Sequence, residues 1–174
     1  PAPHGCARTS LTDGFLRSME MDLKKSVYET IEETLEYIYG SAEVIGLFMA
    51  RIMRLHDDSL PYAQMLGRAM QFINSIRDIQ EDNELGRQYL PASETSLPDL
   101  LKSSAESDRE EFLTYIGKQL DRYKGWQTEA EKGFSYIPKR YLVPIKTASD
   151  MYNWTARQIE NDPFIVFRRK VKPT

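Results

Sequence analysis

The chain has 174 residues, with 23 Lys and Arg against 26 Asp and Glu, a formal net charge of −3 and a pI near 5.5. At roughly 150 residues per domain this is one domain or one piece of a larger one, and with no surplus positive charge a nucleic-acid partner is not expected. Apolar residues at 41% exclude a disordered chain. The single cysteine, Cys6, excludes disulfide frameworks and cysteine zinc sites and is expected to have no role.

The first residues, Pro1-Ala-Pro-His-Gly5, carry neither a charged nor an apolar leader region, and the missing initiator Met points to a fragment. Nine prolines fall at 1, 3, 61, 91, 98, 138, 144, 163 and 173, leaving 4–60, 62–90 and 99–137 free of them. Apolar residues at three- and four-residue spacing within those stretches predict helices. An amphipathic piece covers Leu11 to Lys25. A longer helix starts at Thr30, where Thr30-Ile-Glu-Glu33 fits a capping box, and carries Leu35, Ile38, Ala42, Ile45, Met49 and Ile52 on one face. Its apolar run Val44–Ala50 is closed by Arg51 and Arg54, well short of the ~18–20 residues that span a bilayer. The expected location is cytoplasmic.

Ser59 and Pro61 open the next helix, which carries Met65, Ala69, Phe72, Ile73, Ile76 and Ile79 and stops near Leu85-Gly86. Tyr89–Pro98 reads as a loop before a short helix from Asp99. Ser107-Asp-Arg-Glu110 is a second capping box, opening a helix through Phe112, Ile116, Leu120 and Trp126 towards Gly133. Pro144 is placed in the first turn of a last helix that ends near Asn161. With no alternating β-branched run and no internal repeat, the fold class is all-α: a helical bundle.

The helix 60–85 carries the chemistry. Gln71, Asn74, Asp78 and Asp82 stand at i, i+3, i+7 and i+11 and share a face. Two carboxylates one turn apart repel by a few tenths of a kcal/mol, roughly. A divalent cation relieves that, and carboxylate oxygens suit Mg²⁺. A solvated helix face salt-bridged to Arg77 or Arg87 is the plain alternative on spacing alone. Against it stand Gln71 and Asn74, amides among apolar residues that need partners. Asp13 and Asp22 read as isolated carboxylates, and His56-Asp57-Asp58 as a solvated loop cluster.

Gln71-Phe-Ile-Asn-Ser-Ile-Arg-Asp-Ile-Gln-Glu-Asp82, followed by Gly86-Arg-Gln-Tyr-Leu-Pro91, resembles the second aspartate-rich signature of the squalene/phytoene synthase family. Tyr37-Ile-Tyr-Gly-Ser-Ala-Glu-Val-Ile-Gly46 is similar to that family's Y-x-Y-x-x-A-x-x-V/I-G helix, and Met19-Glu-Met-Asp22 to its short acidic segment. Arg140-Tyr141 and Met151-Tyr152 resemble positions in its final helices, so the likeness covers 15–172. It implies the C-terminal half of an isoprenoid-synthase-type fold, with residues 1–174 lacking the N-terminal half that carries the first aspartate-rich motif. Glu43 stands where some members have glycine and is expected to point away from the substrate channel.

The resemblance implies head-to-head (1′–1) condensation of two prenyl diphosphates through a cyclopropyl intermediate. Asp78 and Asp82 then hold Mg²⁺, and Asn74 and Arg77 support the metal–diphosphate cluster. Gln71 and Tyr37 are the catalytic positions near the reacting carbons. Ala42, Ile45, Gly46 and Met49, with Met70 and Ile73, line a dry tunnel, although a packed helix–helix seam accounts for these six equally well. Tyr152 is a weaker substrate-binding position, since a tyrosine on an apolar helix is more often core. The favoured reaction is phytoene-type, from two geranylgeranyl diphosphates without a nicotinamide; the alternative is a squalene or dehydrosqualene synthase using farnesyl diphosphate, with NADPH only for squalene. A reading from another class is a non-catalytic helical interaction module. The basic tail Arg168-Arg-Lys170 and Lys172 reads as exposed charge, with diphosphate or an anionic membrane surface, a peripheral contact, as its alternatives.

Overall fold

The computed structural model describes residues 11–173, so Cys6 lies outside the described residues. The described elements are α1 (Leu11–Lys24), α2 (Ile31–Ile38), α3 (Val44–Ile52), α4 (Leu60–Arg77), α5 (Ile79–Glu84), α6 (Lys102–Ser107), α7 (Arg109–Glu131) and α8 (Lys139–Asn161). Short 3₁₀ turns link several of them. Helices dominate as the proline spacing requires, and no strand forms among the described residues.

The helix expected from Thr30 to Ile52 is one rod with an irregularity. Thr30 caps it by accepting from the Glu33 N–H at 3.4 Å, while the Glu33 carboxylate reaches back to the Glu29 N–H rather than to the cap itself. Between α2 and α3, Tyr39–Glu43 forms a π turn, with the Val44 N–H bonded to the Tyr39 carbonyl. Such turns insert a residue and re-aim its neighbours. Here Ser41 and Ala42 face a groove while Glu43 turns into the α3–α4 seam. There its buried carboxylate accepts from Gln64 Nε2 and Arg68 Nε, both at 2.5 Å, and so points away from the groove as expected.

α4 is the centre of the molecule, packed most extensively on α7 and next on α3. Phe72, Ile73 and Ile76 from α4 and Phe112, Ile116 and Leu120 from α7 form the fully shielded core, each large side chain contributing about 1.5–3 kcal/mol of burial. Phe72 meets Trp126 edge-on at 5.0 Å between ring centres. On its other side α4 approaches α3 closely: a Cβ on Gly46 would lie 2.2 Å from the Ala63 carbonyl oxygen, and one on Gly67 2.4 Å from that of Ala42. Small residues at this crossing let the two backbones touch.

Three boundaries differ from the sequence reading. Asp108, not Ser107, caps α7, accepting from the Glu111 N–H at 3.1 Å. α8 starts at Lys139, five residues before Pro144, which lies inside the helix; the turn Tyr141–Leu142, bonded to the Pro138 carbonyl, makes the real start. The helix expected over 60–85 is two, α4 and α5, joined at Asp78, whose ψ of 14° leaves the helical basin. The hydrogen bonds from Asp78 N–H to Asn74 and from Asp82 N–H to Asp78 carry the turn across that joint. Gly86, at φ +73°, ends α5 in the left-handed conformation that glycine adopts freely.

Candidate active site

A groove of about 620 Å³ opens between α3, α4, the turn after α7 and α8, a size typical of ligand cavities. Ala42, Ile45, Gly46, Met49 and Met70 line it, as does Tyr152. Ile73 does not: it is fully shielded in the α4–α7 core. Gly46 has two reasons to be glycine, since it borders the groove and also sits at the helix crossing. Gln71 and Asn74 supply polar groups at the end of the groove towards Asp78.

One turn beyond Asn74 the chain becomes acidic. Asp78 takes a two-pronged pair from Arg77, Nε at 2.8 Å and Nη2 at 2.5 Å, with Lys170 Nζ at 3.6 Å. Asp82, on the next turn, has no hydrogen-bond donor or ion-pair partner among the described residues. Burial and the neighbouring Asp78 and Glu81 push its carboxyl up to about 6, with Arg87 opposing only in part. The Asn74 Oδ1 is buried with no partner. The orphaned amide oxygen of Asn74, the unpaired Asp82 carboxylate and the neighbouring Asp78 are hard oxygen donors. That donor set fits Mg²⁺, which keeps several waters and takes one or two carboxylates together with substrate phosphates. Among the described residues no third acidic or histidine side chain completes an all-protein metal cage.

Asp22 corrects the sequence reading, in which it was isolated. Its Oδ1 accepts from the Tyr89 hydroxyl at 2.5 Å and its Oδ2 from Arg87 Nη1 at 3.2 Å, and that guanidinium also donates to the Tyr89 oxygen. The contact exists because residues 26–29 run alongside 88–93: the Tyr28 N–H bonds Gln88, the Gln88 N–H bonds Ser26, and the Ala92 N–H bonds Tyr28. This extended pairing follows no periodicity that a helical reading detects. Tyr37 is placed here rather than in the groove wall, its ring stacked on Tyr89 at 4.9 Å and tilted on Tyr28 at 5.4 Å. Burial holds its phenol protonated, above the ordinary tyrosine range.

Of the residues named from sequence, the structure brings Ala42, Ile45, Gly46, Gln71, Asn74 and Tyr152 around one groove. Asp78, Asp82 and Arg77 lie at its acidic end, and Tyr37 lies behind it in the tyrosine stack. On the far wall, Tyr141, already singled out by the resemblance, is joined by Ile145 and Ala148 before Tyr152 along α8. Their spacing of four, three and four residues is a helical stripe, obscured because the helix was started at Pro144. His56, Asp57 and Asp58 are exposed, as a solvated loop cluster should be.

A sequence profile of squalene/phytoene synthases matches residues 3–174. The 15-cis-phytoene synthase of Enterobacter agglomerans is 35% identical over 140 residues, which is 79% of this chain and 48% of that protein. The chloroplastic phytoene synthase of Narcissus pseudonarcissus is 27% identical over 164 residues, 89% of this chain and 39% of that one. The chain therefore spans about half the length of the curated relatives it matches. Among solved structures, squalene synthase HpnC from Alicyclobacillus acidocaldarius superposes with a TM-score of 0.78 at 21% identity, covering 87% of this chain and 59% of that one. A dehydrosqualene synthase in complex with ligand gives 0.64 at 19% identity, over 94% and 56%. These two likenesses carry the all-α fold.

Proposed function

Because this chain belongs to the squalene/phytoene synthase family, we propose that it is the C-terminal part of a prenyltransferase that joins two prenyl diphosphates head to head and releases diphosphate. The product is phytoene, from two geranylgeranyl diphosphates, a reading supported by the phytoene synthases among its relatives. The N-terminal half, in the same polypeptide or a second one, supplies the first aspartate-rich motif opposite Asp78 and Asp82. Without it the 174-residue chain is inactive. One observation carries this reading: an apolar groove ends, within one helical turn, at Asp78 and Asp82, of which Asp82 has no cationic partner among the described residues.

Each residue then has a task. Asp78 and Asp82 hold Mg²⁺, which when bound stabilises the charge that grows on the departing diphosphate. The Asn74 side chain turns its unpartnered oxygen to that cluster, and Arg77 keeps Asp78 oriented and ionised. Gln71 borders the reacting carbons as a polar but non-basic group, so it neither hydrates nor deprotonates a carbocation. Ala42, Ile45, Gly46, Met49 and Met70 take the prenyl tails at about 0.8 kcal/mol per buried CH₂, with Tyr152 on the facing helix. Tyr37 braces Tyr89 from the stack, and the aromatic face of such a ring stabilises a nearby cation by about 0.5–2 kcal/mol.

No described helix is long and apolar enough to cross a membrane; a cytoplasmic location with peripheral membrane contact completes the proposal, since the product is a hydrocarbon and Ile52 stands 73% exposed at the rim of the groove. The test is incubation of the complete enzyme with Mg²⁺ and geranylgeranyl or farnesyl diphosphate, with and without NADPH. A C40 hydrocarbon formed without NADPH is expected. A C30 product from farnesyl diphosphate, with geranylgeranyl diphosphate untouched, overturns the substrate and favours the squalene or dehydrosqualene reaction. No coupled product at all overturns the function.

A further inference from the structure

We propose that a buried polar cluster between α7 and α8 determines which prenyl chain length the groove accepts, an inference that rests on the groove holding the prenyl tails as proposed above. Its members are Gln127, Glu131, Ser149 and Asn153, none of which lines the groove. Glu131 Oε1 accepts from Gln127 Nε2 at 2.8 Å and from Asn153 Nδ2 at 2.9 Å. Gln127 Nε2 also donates to the Ser149 hydroxyl, and the Tyr123 hydroxyl donates to Asn153 Oδ1 at 3.0 Å. Ser149 is fully buried, and Gln127 is 3% exposed with its Oε1 left unpartnered. Glu131 is served by neutral amides alone and has no ion pair among the described residues.

Such a cluster adds little net stability, because its hydrogen bonds must first offset the desolvation of the groups that make them. What it adds is direction: hydrogen bonds fix angle and register, where apolar contacts tolerate sliding. α8 depends on that. Its apolar stripe, Tyr141, Ile145, Ala148 and Tyr152, faces the groove. Fully buried apolar anchorage begins only at Ala156 and Ile159. Upstream, Pro144 has no N–H to give to the Arg140 carbonyl, so the start of the helix is held weakly. The cluster interleaves with the stripe: Ser149 follows Ala148 and Asn153 follows Tyr152, each step about 100° round the helix. Ser149 and Asn153 stand one turn apart, so their bonds to α7 set both the rotation of α8 and its distance from α7. The width of the groove between α8 and α3 follows. These are positioning residues, which act on the prenyl tail through Ala148 and Tyr152.

The test measures binding of farnesyl and geranylgeranyl thiolodiphosphates with Mg²⁺ to the complete enzyme, sulfur in place of the bridging oxygen suppressing ionisation. Wild type, Asn153→Leu, Ser149→Ala and Glu131→Gln are compared, with inorganic pyrophosphate as the ligand that lacks a tail. Wild type is expected to bind the C20 analogue more tightly, its extra isoprene unit being buried against the α8 stripe. Asn153→Leu should lower the C20:C15 affinity ratio about tenfold and Ser149→Ala about threefold, the scale of one hydrogen bond. Glu131→Gln keeps the acceptor and should stay within about twofold of wild type. Pyrophosphate affinity should change less than about twofold throughout, a pattern that general loosening of the fold does not give. Thermal melts identify any variant that fails to fold, and Ser149→Ala, which removes a single oxygen, carries the test if Asn153→Leu does. An unchanged ratio in the folded variants, or a pyrophosphate affinity that falls as far as the prenyl affinities, overturns the proposal and leaves the reaction standing. A ratio that falls as expected in an enzyme that forms no coupled product supports the cluster and breaks the reaction instead.

Discussion

Two half-buried carboxylates in this chain, Glu94 and Asp82, stand in clusters of opposite electrostatic character. Glu94 receives Arg122 Nη2 at 2.9 Å, Arg122 Nη1 at 3.1 Å and Gln119 Nε2 at 3.0 Å, with Lys118 Nζ at 3.2 Å. Burial alone would raise its pKa, but those donors outweigh burial and bring it down to about 2. Asp82 has burial and like-charged neighbours without a donor, and is pushed up to about 6. The first cluster ties the loop after α5 to α7 and stabilises the fold. The second makes the ionised form of Asp82 costly to hold.

The largest expected effect separates the two at the level of rate. In the complete enzyme, Asp78→Ala and Asp82→Ala should lower kcat by about 10²–10³-fold, because they remove charge stabilisation needed in the transition state. Chemical denaturation of the same variants should show far smaller changes, about 1 kcal/mol, the scale usual for a single substitution. Wild-type activity in either variant would erase the distinction drawn above.

Next comes stability at the Glu94 cluster. Glu94→Gln should destabilise the fold by about 2 kcal/mol at pH 7, its pKa shift discounted for solvent screening. Because the folded pKa lies below the ordinary 4.5, this stabilisation is present above about pH 4.5 and is lost as pH falls towards 2. Urea melts across that range should show the wild-type advantage disappear, while activity at neutral pH stays intact.

A smaller effect of opposite sign is expected from Asp82→Asn, a gain of about 1 kcal/mol at pH 7 in the metal-free protein. The folded pKa lies above the ordinary 3.8, so the cost is present in full above about pH 6 and is relieved as pH falls from there. The gain should therefore vanish in melts at pH 4, and a loss of stability at pH 7 would show that Asp82 already has its partner. The same protonation should weaken Mg²⁺ binding below about pH 6, measurable by calorimetry without turnover. Smallest is Asp22→Asn, which keeps one acceptor for Tyr89 and should cost about 1 kcal/mol of stability.

The aspartate motif is legible in the sequence because its side chains are local: Gln71, Asn74, Asp78 and Asp82 lie on successive turns, and helical spacing alone aligns them. The break at Asp78 leaves no mark on the sequence, because backbone hydrogen bonds run through it and the spacing survives. Tyr37 stands in the stack with Tyr28 and Tyr89, an arrangement that helical spacing does not indicate. Its position depends on the pairing of 26–29 with 88–93, a contact some sixty residues long in sequence and invisible to a helical period.

By itself the sequence determined the all-α class, the long helices, the glycine stop at Gly86 and the acidic face, each a consequence of interactions within a few residues. Only the tertiary structure decided that Asp22 joins Arg87 and Tyr89, that Ile73 is core while Met70 lines the groove, and that the tail brings Lys170 to Asp78. The physical reason is range. Hydrogen bonds and side-chain spacing along a helix are set over three or four residues, whereas which side of α4 meets α7 and which meets the groove is set by the packing of residues far apart in the chain.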